Sequence, residues 1–113
     1  MGSITVTLTR GLLVGDEAQL EAELREPTAG DVIDAGQEAE RVVMTAEGPE
    51  LVSSPSLLGA LVLCKQVVRI GTVQGPLKLA DLKKLSALDL QRLQEKAQEL
   101  EAAALRVDAA GAI

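Results

Sequence analysis

Hydrophobic and polar residues alternate over two stretches near the start of the chain, Ile4–Thr9 and Ala18–Arg25. Strict alternation is typical of strands with one buried face, and the threonines of the first stretch are common in strands. Gly15 and Asp16 lie between the two stretches and suit the two-residue turn of a hairpin. The pattern therefore predicts an N-terminal antiparallel β-hairpin.

This hairpin needs an irregularity to keep its hydrophobic residues on one face. A plain turn at Gly15–Asp16 would place Leu8 opposite Glu23, because side chains alternate between the faces of a strand. One extra residue in the first strand would place Leu8 opposite Ala22, and Gly11 is the natural site of such a bulge. A longer loop with an odd number of residues would have the same effect.

A helix is predicted after the hairpin. Pro27 ends the second strand because it has no N–H to donate to a ladder, and Thr28 with Asp31 resembles a capping box. We expect the helix to run from about Ala29 to Met44, with small and branched apolar residues on its inner side. These residues are Val32, Ala35, Gly36, Ala39, Val42 and Val43. Residues 45–54 contain many turn formers and are predicted to form a loop.

The most hydrophobic stretch, Pro55–Ile70, predicts the central helix of the fold. Ser54 suits the N-cap, Pro55 the first helical position and Gly71 the end. Apolar residues cover most of its circumference, so we expect this helix to be buried in a core or against a partner. At about 1.5 Å per residue it is too short to cross a hydrocarbon layer of roughly 30 Å.

The longest helix is predicted near the end of the chain. Leu79–Leu85 indicates one or two helical turns, and Ser86 with Asp89 resembles a second capping box. We expect the helix to continue to about Val107 with a narrow apolar stripe of heptad spacing. The stripe consists of Leu90, Leu93, Ala97, Leu100, Ala104 and Val107. Asp108–Ile113 is predicted to be a frayed tail.

These elements predict an α+β fold in which an N-terminal antiparallel β-hairpin is followed by three to four α-helices. A chain of 113 residues is expected to form one domain. Within it, residues 1–26 form the hairpin, residues 28–107 the helical region and residues 108–113 the tail.

The composition narrows the classes of function. The chain has no aromatic residues, and its net charge is −6, so we expect no nucleic-acid partner. The single cysteine, Cys64, lies among aliphatic residues and is predicted to be a buried, inert thiol in a protein of the reducing cytosol. The first ten residues alternate and lack the basic start and apolar run of a signal peptide, and no membrane association is expected.

No catalytic, cofactor or metal site is predicted, and we expect a protein that is not an enzyme. The chain has no histidine, the commonest general base and metal ligand. Asp31 with Asp34, or Glu38 with Glu40, are interpreted as solvated carboxylates, because nothing nearby would raise a pKa. Gly71–Lys78 contains two glycines and a lysine but not the spacing of a phosphate-binding loop.

The central and last helices carry more apolar surface than one hairpin and one helix of small residues would cover. Two interpretations remain open. Either everything packs into one core, or part of this surface binds a partner chain or another copy of the protein. In the second case, the partner-binding residues come from the central helix and the stripe. They are Leu57, Leu58, Leu61, Val62, Leu90, Leu93, Ala97 and Leu100.

The order of elements and the sequence resemble the tail assembly chaperones of Mu-like and related phages. The resemblance extends from Ile4 to about Leu100, through the hairpin ITVTLTRGLLVG…LEAEL, the apolar helix and the segment LKKLSALD. The junction LREPTAGD, residues 24–31, carries it most specifically. Six residues match the junction motif of the family, and we expect their role to be structural. They are Arg25, Glu26, Pro27, Thr28, Gly30 and Asp31.

The resemblance implies a chaperone of the host cytoplasm that binds the tape-measure protein. It would keep this long helical client soluble until the tail tube assembles around it, and it would be absent from the mature virion. The tail tube protein is a further candidate partner, and we expect a homo-oligomer. The alternatives are a structural or oligomeric subunit of the phage tail and a small regulatory oligomer, neither with catalytic activity.

Overall fold

The computed structural model describes residues 2–111, with side chains described for residues 2–103, and confirms an α+β fold with an N-terminal antiparallel hairpin. The strands are β1 (Ser3–Val14), β2 (Glu17–Arg25), β3 (Glu40–Thr45), β4 (Gly48–Ser53), β5 (Val67–Ile70) and β6 (Val73–Gln74). The helices are α1 (Ala29–Ala39), α2 (Pro55–Gln66), α3 (Leu79–Leu82) and α4 (Ala87–Gly111).

Four strands form one antiparallel sheet in the order β1-β2-β5-β6, while β3 and β4 form a separate two-stranded sheet. Helix α4 packs along β1 and β2, and α1 packs against α2. The main core lies between the four-stranded sheet, α2 and α4, and it includes Leu24, Ile70 and Leu93, none of which exposes any surface. A smaller core, formed around Ala35, Ala39 and Leu61, holds α1 to α2. No helix in the described part of the chain is long and apolar enough to cross a membrane.

The predicted bulge in β1 exists, but it is larger than expected. Leu12 pairs with Gln19 whereas Thr7 pairs with Glu21, so residues 8–11 of β1 lie opposite a single residue of β2. Three extra residues are present instead of one. Because both numbers are odd, the apolar residues still share one face, although Val6 pairs with Ala22 and not with Leu24.

The predicted end of the first helix is wrong. The capping box of Thr28 and Asp31 is present, but α1 ends at Ala39, and the next six residues form β3. Of the predicted inner residues, Ala35 and Ala39 are buried and Gly36 is half-buried, whereas Val32, Val42 and Val43 are exposed. The small residues Ala35 and Ala39 form the buried apolar contact with α2. The β-branched residues that follow pair with β4 instead.

The predicted loop over residues 45–54 is also wrong, since Gly48–Ser53 forms β4. The turn lies at Ala46 and Glu47, between paired Thr45 and Gly48. The Thr45 hydroxyl donates to the Gly48 carbonyl over 2.7 Å and accepts from the N–H of Glu47. The turn formers recognised in the sequence therefore serve one tight turn, and the residues after them continue as a strand.

The central helix is shorter than predicted. Ser54 caps α2 and Pro55 begins it, but the helix ends at Gln66, and Val67–Ile70 forms β5 beside β2. A continuous apolar run does not distinguish a buried helix from a buried strand. Residues 67–70 form a strand because they pair with the edge of β2 that β1 leaves free. Gly71 has a positive φ of 58°, in the turn between β5 and β6.

The last helix begins at Ala87, as the serine cap predicts, with the Ser86 hydroxyl accepting from the N–H of Asp89 over 3.2 Å. The other half of the predicted capping box is absent because the Asp89 carboxylate binds elsewhere. The helix continues to Gly111, so a tail that frays from Asp108 is wrong for residues 108–111, and residues 112–113 lie outside the described part. The stripe positions Ala104 and Val107 lie outside the described side chains.

Candidate functional site

The junction after β2 is held by a network centred on Asp31. Arg25 donates to this carboxylate through Nη1 to Oδ2 over 2.7 Å and through Nη2 to Oδ1 over 3.2 Å. The Thr28 N–H donates to Asp31 Oδ2, and the Asp31 N–H donates to the Thr28 hydroxyl. The hydrogen bonds from Arg25 lower the pKa of Asp31 to about 2. This network therefore fixes the backbone connection between β2 and α1.

The remaining residues of the junction lie in the same connection between β2 and α1. The Glu26 carbonyl accepts from Arg25 Nη1 over 2.9 Å. Gly30 is the second residue of α1, and a Cβ added there would meet only the Thr28 hydroxyl oxygen, at 3.6 Å. Pro27 lines a groove on the neighbouring helices. All six residues thus occupy positions in one strand-to-helix connection.

Asp89 ties the start of α4 to the bulge of β1. Its carboxylate is fully buried and accepts from the Thr9 N–H at 2.7 Å, the Thr9 hydroxyl at 2.8 Å, the Arg10 N–H at 3.0 Å and the Gly11 N–H at 2.9 Å. Burial alone would raise the pKa of Asp89, but these donors together hold it well below its ordinary value. The size of the bulge follows from this carboxylate, because the bulged N–H groups have no partner in β2.

A groove of about 530 Å³ lies between the three longer helices and is called the helix groove below. Helix α1 contributes Val32, and Pro27 lies at one end. Helices α2 and α4 supply apolar residues to the lining and amide or carboxylate side chains beside them. These are Leu58, Gly59, Val62, Leu63, Gln66, Gln94, Ala97, Gln98 and Glu101. The groove is therefore apolar with a polar margin.

The structure divides the eight predicted partner-binding residues. Leu58, Val62 and Ala97 line the helix groove. Leu57 and Leu90 are half-buried against the two cores. The other three, Leu61, Leu93 and Leu100, are buried inside the chain, with at most 8% exposed. The protein's own structure therefore covers Leu93 and Leu100 of the stripe of the last helix, whereas Ala97 of the same stripe lines the helix groove.

The most exposed apolar surface lies on β3 and β4, which are called the ribbon below. The strand register places Val42, Met44, Pro49 and Leu51 on one face. Val42 is 69% exposed, Met44 75% and Leu51 66%. Sequence reasoning missed this surface because it interpreted the two strands as a helix end and a loop. The available signal was the β-branched residues Val42, Val43 and Thr45 just before the turn formers at Gly48.

The described side chains offer little for chemistry. Burial raises the pKa of the Cys64 thiol to about 11, and this side chain is 3% exposed, as expected for an unreactive cysteine. Glu38 forms an ion pair with Lys65 of α2 over 2.9 Å. Among the residues that the structure describes, no three acidic or cysteine side chains cluster as they would around a metal ion.

Relatives in other phages and prophages are similar over most of the chain. The Mu-like prophage FluMu protein gp41 of Haemophilus influenzae is 44% identical over 97 residues, which are 85% of this chain and 76% of that protein. The probable tail assembly protein gp41 of Escherichia phage Mu is 51% identical over 81 residues, 70% of this chain and 56% of that protein. In the probable tail assembly protein FS-gp41 of the same phage, the matched residues, again 51% identical, cover 43% of the protein.

The chain thus spans about half the length of the two phage Mu relatives. No solved structure matches it. The sequence model of the family described as tail assembly protein gp41 matches residues 8–111, from the middle of β1 to the end of α4. With this match and the relative from Haemophilus influenzae, the chain belongs to the gp41 family of Mu-like phage tail assembly proteins.

Proposed function

We propose that this tail assembly protein is a chaperone that binds the tape-measure protein. It keeps that client soluble in the host cytoplasm while the tail tube assembles around it, and it leaves before the virion is complete. The single observation that supports this function is the helix groove, which is open, largely apolar, about 530 Å³ in volume and bordered by three helices. The tail tube protein stays a further candidate partner.

The groove suits a helical client. Its lining includes Leu58, Val62 and Ala97, and an amphipathic helix binds by placing its apolar face in such a groove. Gly59 leaves room in the lining, since a Cβ added there would meet nothing within 4 Å. The side chains of Gln94 and Gln98 can donate to or accept from polar groups at the edge of the client helix.

Co-expression with the tape-measure protein encoded in the same phage or prophage tests the proposal. We expect the soluble fraction of the tape-measure protein to rise when this chain is present. The Gly59→Gln variant, which fills the groove from a helical position, should abolish the rise. Gly36→Gln is the matched control. A Cβ added at Gly36 would also meet nothing within 4 Å, but Gly36 lies on α1 outside the groove lining.

Two outcomes contradict parts of this proposal. If the tape-measure protein is equally soluble with and without the chain, the chaperone function is wrong. If the unmodified chain and Gly59→Gln solubilise it equally, the client binds elsewhere. Far-UV circular dichroism of both glycine variants shows whether α1 and α2 remain folded.

A structural tail subunit is the second candidate, and the ribbon favours it. Each of its two strands has one unpaired edge, and such edges can pair with other chains in an assembly. Mass spectrometry of purified virions distinguishes the two functions. A structural subunit remains in the particle at a fixed stoichiometry, whereas the proposed chaperone is absent from it.

A further inference from the structure

Two glutamates flank one end of the helix groove. Glu101 of α4 lines the groove, and the lining includes no lysine or arginine among the described side chains. Glu26 precedes Pro27, another lining residue. A Cβ added at Gly2 would lie 3.3 Å from Glu26 Oε1 and 3.2 Å from Cδ1 of Leu100, the residue before Glu101. Glu26 and Glu101 therefore belong to the same end of the groove, which is called the acidic end below.

The fold does not use the carboxylate of Glu26. In the junction after β2, the side chains of Arg25, Thr28 and Asp31 form the network of hydrogen bonds. Glu26 contributes only its backbone carbonyl to that network. Neither the Glu26 nor the Glu101 carboxylate forms an ion pair or a hydrogen bond within the described residues. Both charges are therefore available to a partner.

The cations closest to the acidic end in the sequence are already paired, among the described side chains. The pairs are Arg25–Asp31 at 2.7 Å, Lys65–Glu38 at 2.9 Å and Lys96–Glu99 at 3.2 Å. None of these three cations lines the groove. The acidic end therefore keeps its negative charge, in a chain whose net charge is −6.

A buried amide at the same end points to a hydrogen-bond donor in the occupant. Gln66 lines the groove, is 2% exposed, and donates through Nε2 to the Arg25 carbonyl over 3.1 Å. No described residue donates to Gln66 Oε1, and this oxygen is not sealed inside the protein. Buried polar groups normally have a hydrogen-bond partner. The amide oxygen is thus placed to accept from a group that enters the groove.

We propose that the acidic end binds a lysine or arginine side chain at the border of the client helix. This rests on the function proposed above, because the occupant is taken to be a helical segment of the client. A long cationic side chain can lay its methylene groups on the apolar lining while its charged end reaches the carboxylates and Gln66 Oε1. An acidic segment is repelled by Glu26 and Glu101 and leaves the amide oxygen without a donor.

Two synthetic peptides measure this preference. Both have about 18 residues, or about five helical turns, and the same face of Leu and Ala, but one is bordered by Lys and the other by Glu. In fluorescence anisotropy at low salt, we expect the Lys-bordered peptide to bind the full chain at least about tenfold more tightly. The difference should shrink as the salt concentration rises. Gly59→Gln should weaken binding of the Lys-bordered peptide, because it fills the groove.

A double variant, Glu26→Gln with Glu101→Gln, assigns the preference to the acidic end. It removes both charges and keeps the shape of the side chains, so we expect it to bind the two peptides within about threefold of each other. The control is Glu17→Gln with Glu95→Gln. It removes the same total charge at two exposed glutamates outside the groove lining and should keep the preference. Far-UV circular dichroism shows whether both double variants remain folded.

Three outcomes overturn the proposal. They are equal binding of the two peptides by the unmodified chain, binding of neither peptide, and an unchanged preference in the variant that lacks Glu26 and Glu101. Co-expression decides the chaperone function separately. A tape-measure protein that is solubilised by the unmodified chain but not by Gly59→Gln supports that function even where the peptides show no preference.

Discussion

The Asp89 carboxylate determines the shape of a strand that lies 80 positions earlier in the chain. It accepts hydrogen bonds from three backbone N–H groups of the β1 bulge, which lie outside the paired register of β1 and β2. The carboxylate also lies in the first turn of α4, where the helix dipole favours a negative charge. Sequence reasoning assigned Asp89 to a capping box because nothing local distinguishes a carboxylate that binds its own helix start from one that binds a distant strand.

Asp89→Ala is expected to lower the free energy of unfolding by about 2–4 kcal/mol. It removes the acceptor of four part-buried donors, and each of them costs about 1–3 kcal/mol where water does not replace the carboxylate. Urea denaturation measures the change. Glu95→Ala, an exposed carboxylate of the same helix, is the control and should change stability by no more than about 0.5 kcal/mol. Equal effects of the two substitutions would contradict the role assigned to Asp89.

Asp31 makes stability depend on pH in the acidic range. Its pKa is lowered to about 2 in the folded protein, whereas an unfolded Asp has a pKa of about 3.9. The ionised form therefore stabilises the fold above about pH 5, and this contribution is lost as the pH falls from about 4 to 2. We expect Asp31→Asn to be less stable at neutral pH and to lose less stability on acidification, as measured by urea unfolding across that range. Parallel pH profiles would contradict this linkage.

Gly11 is required by both its conformation and its surroundings. Its φ is 71°, and a Cβ would come within 2.1 Å of the Gln19 carbonyl oxygen. Gly11→Ala should thus destabilise the protein by about 2–4 kcal/mol, through left-handed strain and displaced backbone. Gly15 is the control for backbone strain alone, because its φ is 61° and a Cβ added there would meet nothing within 4 Å. In the same thermal or urea unfolding experiment, Gly15→Ala should lower the free energy of unfolding by about 1–2 kcal/mol. If Gly15→Ala is as harmful as Gly11→Ala, the close approach to Gln19 has no effect.

At the scale of helices and strands, the sequence correctly predicts those features that depend on interactions between residues close together in the chain. The alternation in β1 and β2, the capping box at Thr28, the Ser54 cap and the heptad spacing of α4 all specify elements that exist. Residues 40–44 and 67–70 were predicted to be helical but form strands. Both are β-branched continuations of helical patterns, and the pairing partners that convert them, β4 and β2, are tertiary information.

The ribbon should be the least protected part of the sheet structure. At concentrations where the protein is monomeric, its backbone hydrogen bonds are supported by no packed core, so they open without global unfolding. In native-state hydrogen exchange, we expect amides of β3 and β4 to exchange far faster than those of β2, which carries the fully buried Ala22 and Leu24. Equal protection of the two regions would indicate that the ribbon is already covered in the monomer.

The whole molecule is broader than a compact domain of its length. Its radius of gyration is 16.2 Å, against about 13 Å expected for 113 residues. The sequence indicated an excess of apolar surface on the central and last helices, including the stripe of α4. That stripe closes the core over β1 and β2, and the excess lies on the ribbon and in the helix groove. The packing of all the elements determines which apolar faces are buried within the chain. The hydrophobic pattern of a single helix therefore does not show whether its apolar face is buried.

Leu93→Ala tests that the stripe belongs to the protein's own core. Leu93 exposes no surface, and truncating such a side chain leaves a cavity that costs about 3 kcal/mol. Leu88→Ala on the same helix, at a residue that is 51% exposed, should cost about 0.5 kcal/mol. The urea midpoint measures both at a concentration where the protein is monomeric. If the two substitutions cost the same, the stripe does not close the core.

The connection between Asp89 and the β1 bulge has a consequence for biosynthesis. The ribosome releases β1 before α4, and the donors of its bulge lack their native acceptor until residue 89 has been added, 80 residues after Thr9. At about 5–20 residues per second, this interval lasts roughly 4–16 s. Strand β1 therefore spends several seconds as nascent chain without this native partner, and the bulge completes its structure only after the first turn of α4 has been synthesised.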